Sequence, residues 1–151
     1  MADLKLIALD ADDLAVISAH LQDAVLQMGD IAYLPKDKRF AAIANRFDWV
    51  GALQDGKSEP AEHARRRAAL RFERVLGAQV QGIDTKNKGA VLSLLAIGFE
   101  PTDAPEGDII LLFSEGRAIR LRVECIEVEL KDLGAMWGAS KPQHPDDPAS
   151  T

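Results

Sequence analysis

The rhythm of apolar and polar positions changes several times along the chain, and each change predicts an element. LKLIAL (4–9) is a short apolar run of strand length. After it, Leu14, Ile17, Leu21, Ala24 or Val25, and Met28 recur at helical spacing, which predicts one amphipathic helix reaching Gly29. Asp10 is placed to cap its first turn, and Asp12 and Asp13 put negative charge at the positive end of the helix dipole. Gly29 reads as the stop.

Beyond it the period shortens to two. IAYL and RFAAIANRFDW flank PKDK and predict a hairpin turning at Pro35–Lys38. Residues 50–64 are small, polar and Gly/Pro-containing, which predicts a surface loop. RRRAALRFERVLGAQVQGI (65–83) reads as a single strand with its arginines outside. AVLSLLAIGFE (90–100), DIILLF and RAIRLRVECIEVEL then follow one another across the turns PTDAPEG and SEG, as in an antiparallel meander. Ile119, Leu121, Val123 and Cys125 share one face, but Ile126, Val128 and Leu130 take over the apolar phase, which predicts a β-bulge near 125–126. The sum is an α+β domain: one N-terminal amphipathic helix on a mostly antiparallel, strongly curved sheet of about six or seven strands, a roll or a partly closed barrel. A single domain is expected over 1–137. The tail 138–151, with Pro142, Pro145 and Pro148, is expected to be disordered.

Composition narrows the classes. A chain of 151 residues, 47% hydrophobic and 28% charged, is long enough to bury a core without disulfides or metal. The net charge of −6 opposes whole-surface attraction to nucleic acid or acidic lipid. Cys125 is the sole cysteine, so no internal disulfide forms, and its apolar phase predicts a buried thiol. No basic leader precedes a long apolar run, and the apolar stretches fall short of the roughly 20 residues of a membrane helix. A cytoplasmic protein without membrane attachment is the expectation.

Candidate chemistry is sparse. NRFDWV (45–50) groups Arg46, Phe47, Asp48 and Trp49. Strand alternation puts Ile43, Asn45, Phe47 and Trp49 toward the core and leaves Arg46 and Asp48 as a solvent-facing pair; the competing reading is an Arg46–Trp49 platform for a planar ligand or a partner. Arg65, Arg66, Arg67, Arg71 and Arg74 crowd into ten residues, with Arg65, Arg67 and Arg71 on one face. Arg120 and Arg122 project from the last strand and extend that patch if the strands lie close. Guanidinium forks suit carboxylates and phosphates, so the candidate binding residues are Arg46, Trp49, Arg65, Arg67, Arg71, Arg120 and Arg122. The alternative is that these arginines pair with the chain's own 24 acidic residues.

Phe72 is the lone aromatic among the basic residues, too few for a single-strand nucleic-acid platform. His20, His63 and His144 fall in a helix, a loop and the tail, and no CxxC or HxxxH spacing occurs. No catalytic residue, metal site or cofactor is therefore predicted. The acids of LDADD (9–13) are accounted for by helix capping.

The segments LKLIALDADDLAVISAHLQDAV, YLPKDKRFAAIANRFDW, RRRAALRFERVL and IRLRVECIEVELKDLG together resemble a family of short proteins found mainly in alphaproteobacteria, domain of unknown function 2948. The resemblance spans about residues 4–137. It implies a cytoplasmic bacterial protein and carries over no activity, substrate or site residue. The expectation is a non-enzymatic module that binds a protein, itself or another. The alternatives are a binder of phosphorylated small molecules or RNA backbone through Arg65–Arg74, and then a small carboxylate-based enzyme.

Overall fold

The computed structural model describes residues 4–48 and 65–135, so Trp49, His63, His144, the predicted loop and the predicted tail lie outside the described residues. The described residues form nine strands and one α-helix: β1 (Lys5–Ala8), α1 (Ala11–His20), β2 (Val25–Leu34), β3 (Arg39–Phe47), β4 (Arg65–Phe72), β5 (Val75–Gln81), β6 (Val91–Pro101), β7 (Gly107–Phe113), β8 (Ala118–Val123) and β9 (Val128–Ala135). All ladders are antiparallel, in the order β1-β9-β4-β3-β2-β6-β7-β8-β5. The α+β class stands. The sheet has nine strands rather than six or seven, and it is open rather than closed, because β1 and β5 end it unpaired with each other.

Two of the extra strands arise where one long strand was expected. The 65–83 run bends at Glu73–Arg74, where Arg74 takes φ +61°, a left-handed conformation that no glycine announces. Residues 117–135 break at 124–127 into β8 and β9, so the phase flip near Cys125 marks a corner instead of a bulge within one strand. Ile126, Val128 and Leu130 are buried as the flipped phase requires, whereas Cys125 falls between the two phases and is half-buried.

These bends determine the shape. β4 stands third in the order and β5 ninth, yet two residues join them. Six strand spacings span about 29 Å in a flat sheet, while the three Cα steps from Phe72 to Val75 cover at most about 11 Å. The sheet must therefore fold over so that its ends approach, and β8 and β9, eighth and second, demand the same. The two corners are hydrogen-bonded to each other: Glu73 N donates to Glu127 O (2.9 Å) and Glu124 N to Arg74 O (3.0 Å). Strands that change layers at such bends are a standard way to turn a sheet corner.

One core fills the fold. Phe40, Leu70, Phe72 and Leu130 from one half meet Leu92, Ile109, Leu111, Phe113 and Leu121 from the other. Leu14 and Ile17 of α1 join them, and the helix packs against β1 and β6. Asp10 caps α1 by accepting from Asp13 N at 2.8 Å.

The helix is half the length its apolar stripe suggests. It stops at Leu21, Asp23 takes φ +67°, and Asp23 N donates to Leu94 O (2.8 Å) while Leu94 N donates to Ala24 O (2.8 Å). Sheet pairing thus captures the chain, and Ala24, Leu26 and Met28 are buried in alternation. That spacing satisfies a strand as well as a helix, and tertiary hydrogen bonds decide between them. Gly29, read as a helix stop, lies inside β2, where its amide donates to Lys88 O at 2.8 Å. The hairpin at Pro35–Lys38 forms as read.

A close approach at the start of β7 yields a stability prediction. A Cβ at Gly107 would lie 2.6 Å from Glu100 O and collide with Phe99 Cζ, whereas one at Gly98 would meet nothing within 4 Å. Gly107→Ala is expected to cost about 1–3 kcal/mol of unfolding free energy, and Gly98→Ala about 0.5 kcal/mol or less, measured by urea unfolding. Equal costs would contradict the packing described at the β6–β7 turn.

Candidate functional site

The arginines of the sequence divide into three settings. The first is inside. On β3 the buried phase is Phe40, Ala42, Ala44 and Arg46, followed by Asp48. This inverts the faces expected for NRFDWV: Arg46 is 4% exposed and Asp48 9%, while Ile43, Asn45 and Phe47 occupy the outer, half-buried phase. Arg46 and Asp48 are not partners. Arg46 Nε and Nη2 donate to Asp132 Oδ1 and Oδ2 on β9, at 2.9 and 2.8 Å. Arg66 Nε on β4 donates to Asp48 Oδ2 at 3.0 Å. Arg66, on the face opposite Arg65, Arg67 and Arg71, is therefore turned in.

Arg46 and Arg66 face each other across the β3–β4 ladder, an arrangement of like charges that is destabilising by itself. Asp132 and Asp48 supply the compensating charge. Asp132 also accepts from Leu4 N through Oδ2 (2.9 Å), which ties β1 to β9. Small neighbours on the same face, Ala42, Ala44 and Ala68, leave space for the guanidinium stems.

Burial by itself would push the Asp132 carboxyl up, but the Arg46 hydrogen bonds, the Leu4 amide and the charges of Arg46 and Arg66 together hold it below its ordinary value. His20, at the end of α1, faces the same cluster. Its burial pushes the imidazole below its ordinary 6.5, Arg46 pushes further down, and Asp132 and Asp48 oppose.

The second setting is the outer face of β4. Arg71 bridges Glu73 and Glu129, Arg39 also holds Glu73 (2.9 Å), and Lys5 approaches Glu129 (3.7 Å), forming a ladder of alternating charge. At the corner, Arg74 pairs with Glu127 (3.1 Å) and Glu124 (3.4 Å), and Lys38 with Glu124 (2.9 Å). Arg65 donates to Asn45 O (3.3 Å), and its guanidinium lies 5.8 Å from the Phe47 ring centroid. Arg67 is exposed and makes no ion pair among the described residues.

The third setting is the outer face of β5, β8 and β7, where Arg120 and Arg122 project. In register, Gly77 lies opposite Arg122 and Gln79 opposite Arg120, and on the other side Asp108 lies opposite Arg122. These residues and Ala78 line a depression of about 300 Å³. Arg120 Nη1 donates to Asp108 Oδ2 (2.7 Å) and Glu100 Oε1 (3.3 Å), bonds that raise its pKa and fix its orientation. Arg122 comes no closer than 3.8 Å to Asp108, and its side chain is 65% exposed. Asp108 is 7% exposed, and its Oδ1 accepts no hydrogen bond from the described protein atoms. The depression thus combines Arg120, fixed between Asp108 and Glu100, with a solvent-facing Arg122 that pairs only loosely with Asp108, at 3.8 Å.

Arg120 and Arg122 thus pair with Asp108 and Glu100, Arg71 with Glu73 and Glu129, and Arg46 with Asp132, so these groups share no carboxylate. Asp108, Gly77 and Gln79 gave no signal in sequence, because their meaning comes from pairing across strands. Among the described residues no group of three His, Cys, Asp or Glu side chains is arranged to hold a metal ion. No helix among them is long and apolar enough to cross a membrane.

The buried pairs make stability depend on pH in two steps. His20 has a folded pKa below its unfolded one, so stability falls as pH drops below about 6.5 and the unfolded chain takes the proton first. Asp132 has a depressed folded pKa, so its contribution is present above the unfolded carboxylate value and is lost as pH falls through the folded one. His20→Gln should remove the upper step of a urea-stability profile taken from pH 8 to pH 3 and keep the lower. Asp132→Ala should cost about 3–5 kcal/mol at neutral pH by stranding Arg46, and Arg46→Met with Asp132→Leu should recover most of it. A double variant as unstable as Asp132→Ala would contradict the pairing.

No curated protein and no solved structure matches the chain. Residues 4–144 match the family described as Protein of unknown function (DUF2948), and with that match covering most of its length the chain belongs to this family.

Proposed function

We propose that the protein is a non-enzymatic binding module that recruits a protein partner by adding a strand at β5. The observation that carries this reading is the character of the edge. β5 ends the sheet with seven residues, VLGAQVQ, that include no charge and no proline. Natural edges are commonly blunted by one or the other, because unpaired main-chain groups template association. At its start β5 is covered, since Val75 N donates to Lys38 O (2.9 Å) and a register shift falls between Val75 and Gly77. Among the described residues Gly77–Gln81 is left as the free length, with Leu76 beside it and Val80 within it each more than 40% exposed. The opposite edge, β1, is four residues long and carries Lys5.

The pairing of the other arginines supports the same reading. Arg66, Arg71 and Arg74 are each engaged with carboxylates of this chain, which leaves little of the 65–74 segment for phosphate or an RNA backbone. The carboxylates Asp48, Glu73, Glu124 and Glu127 are likewise each held by a guanidinium or ammonium group.

The test is capture from a cell extract with Val80→Lys, which places a charge on the edge and leaves the β5–β8 ladder able to form. Wild type and the exposed control Arg67→Glu should retain the same discrete partner. Val80→Lys should lose it with its thermal midpoint unchanged within about 2–4 °C. Loss in Arg67→Glu with retention in Val80→Lys would move the function to β4.

A further inference from the structure

The inference rests on the strand-addition reading and names the chemistry of the partner. We infer that the depression beside β5 selects a carboxylate, so that the segment docking on Gly77–Gln81 is an extended stretch of another protein with a Glu or Asp directed over Gly77.

A strand added to β5 lies one spacing from it and two from β8, about 10 Å from the Arg122 backbone. A long guanidinium stem and a carboxylate stem together bridge that gap when nothing stands between them. Nothing does: the residue opposite Arg122 on β5 is Gly77, and a Cβ built there would meet no atom within 4 Å. One place along, Gln79 stands between Arg120 and the edge, and Arg120 is already held by Asp108 and Glu100. The chemistry therefore differs along the edge: behind the glycine stands a solvent-facing guanidinium that meets Asp108 only at 3.8 Å, and behind the amide one fixed by two carboxylates.

Charge also chooses between partners. A second copy presenting its own β5 brings VLGAQVQ, which carries no carboxylate for Arg122. A foreign strand with an acid at the matching outward position satisfies it. On the inward side the same strand would meet Ala78 and Val80, which lie opposite Leu121 and Ile119. The segment recognised thus alternates apolar residues inward with an acid outward, the two-fold spacing of any strand.

The experiment uses the full chain and three nine-residue peptides of alternating Val and Thr, identical except for a central outward Glu, Gln or Lys. Binding is read from β5 amide shifts in NMR titrations. The Glu peptide should bind about three- to tenfold tighter than the Gln peptide, with the Lys peptide weakest, and the preference should shrink in high salt. Arg122→Gln should abolish the preference without abolishing binding. Gly77→Val, which the open space accommodates, should do the same by standing between the charges. If Glu and Gln peptides bind equally and both shift β5, the carboxylate selection is overturned while the edge remains a docking site. If no peptide shifts β5, strand addition fails and this inference fails with it.

Discussion

The two-residue link at Glu73–Arg74 is the constraint from which the rest of the structure follows. It joins the third and ninth strands of the order, so the sheet has to fold upon itself. The link at 124–127 repeats the demand, and the two corners lie against each other, hydrogen-bonded and laced by Arg74, Glu124, Glu127 and Lys38. Folding brings the inner faces of both halves onto one core, which α1 completes against β1 and β6. It also leaves β5 outermost. A single geometric requirement thus accounts both for the core and for the exposed edge.

The fold has a second, polar centre. Arg46–Asp132 and Arg66–Asp48 fill one end of the inner face where apolar side chains would otherwise sit. Removing such charges from water is costly, and buried pairs are often no better than hydrophobic substitutes for stability. What they supply is geometry. Asp132 reaches Arg46 on β3 and Leu4 at the start of β1 through fixed bonds, so the order of the first four strands is specified by donors and acceptors as well as by packing.

The sequence made local features legible and non-local ones obscure. The Asp10 cap, the Pro35–Lys38 turn and the phase change after Cys125 were readable, because each is written within a few residues. The bend at Arg74 was not, since its left-handed backbone is held by hydrogen bonds to the far corner. The faces of β3 were inverted for a related reason. Arg46 looks like a solvent-facing residue until Asp132, 86 positions away, is placed beside it. The run of alanines at 42 and 44, continuing the phase of Arg46, was the one local hint. For the site, Arg120 and Arg122 were identifiable as outward residues. Their difference in commitment depends on Asp108 and Gly77, which only strand pairing brings alongside.

Residue-resolved amide hydrogen exchange on the free protein reports whether folding at the corner leaves β5 as an open edge. Within Gly77–Gln81, amides directed toward β8 should be protected to the level of the β7–β8 ladder, and those directed away should exchange fast. Uniform protection along β5 would show that the edge is already covered and would contradict strand addition there.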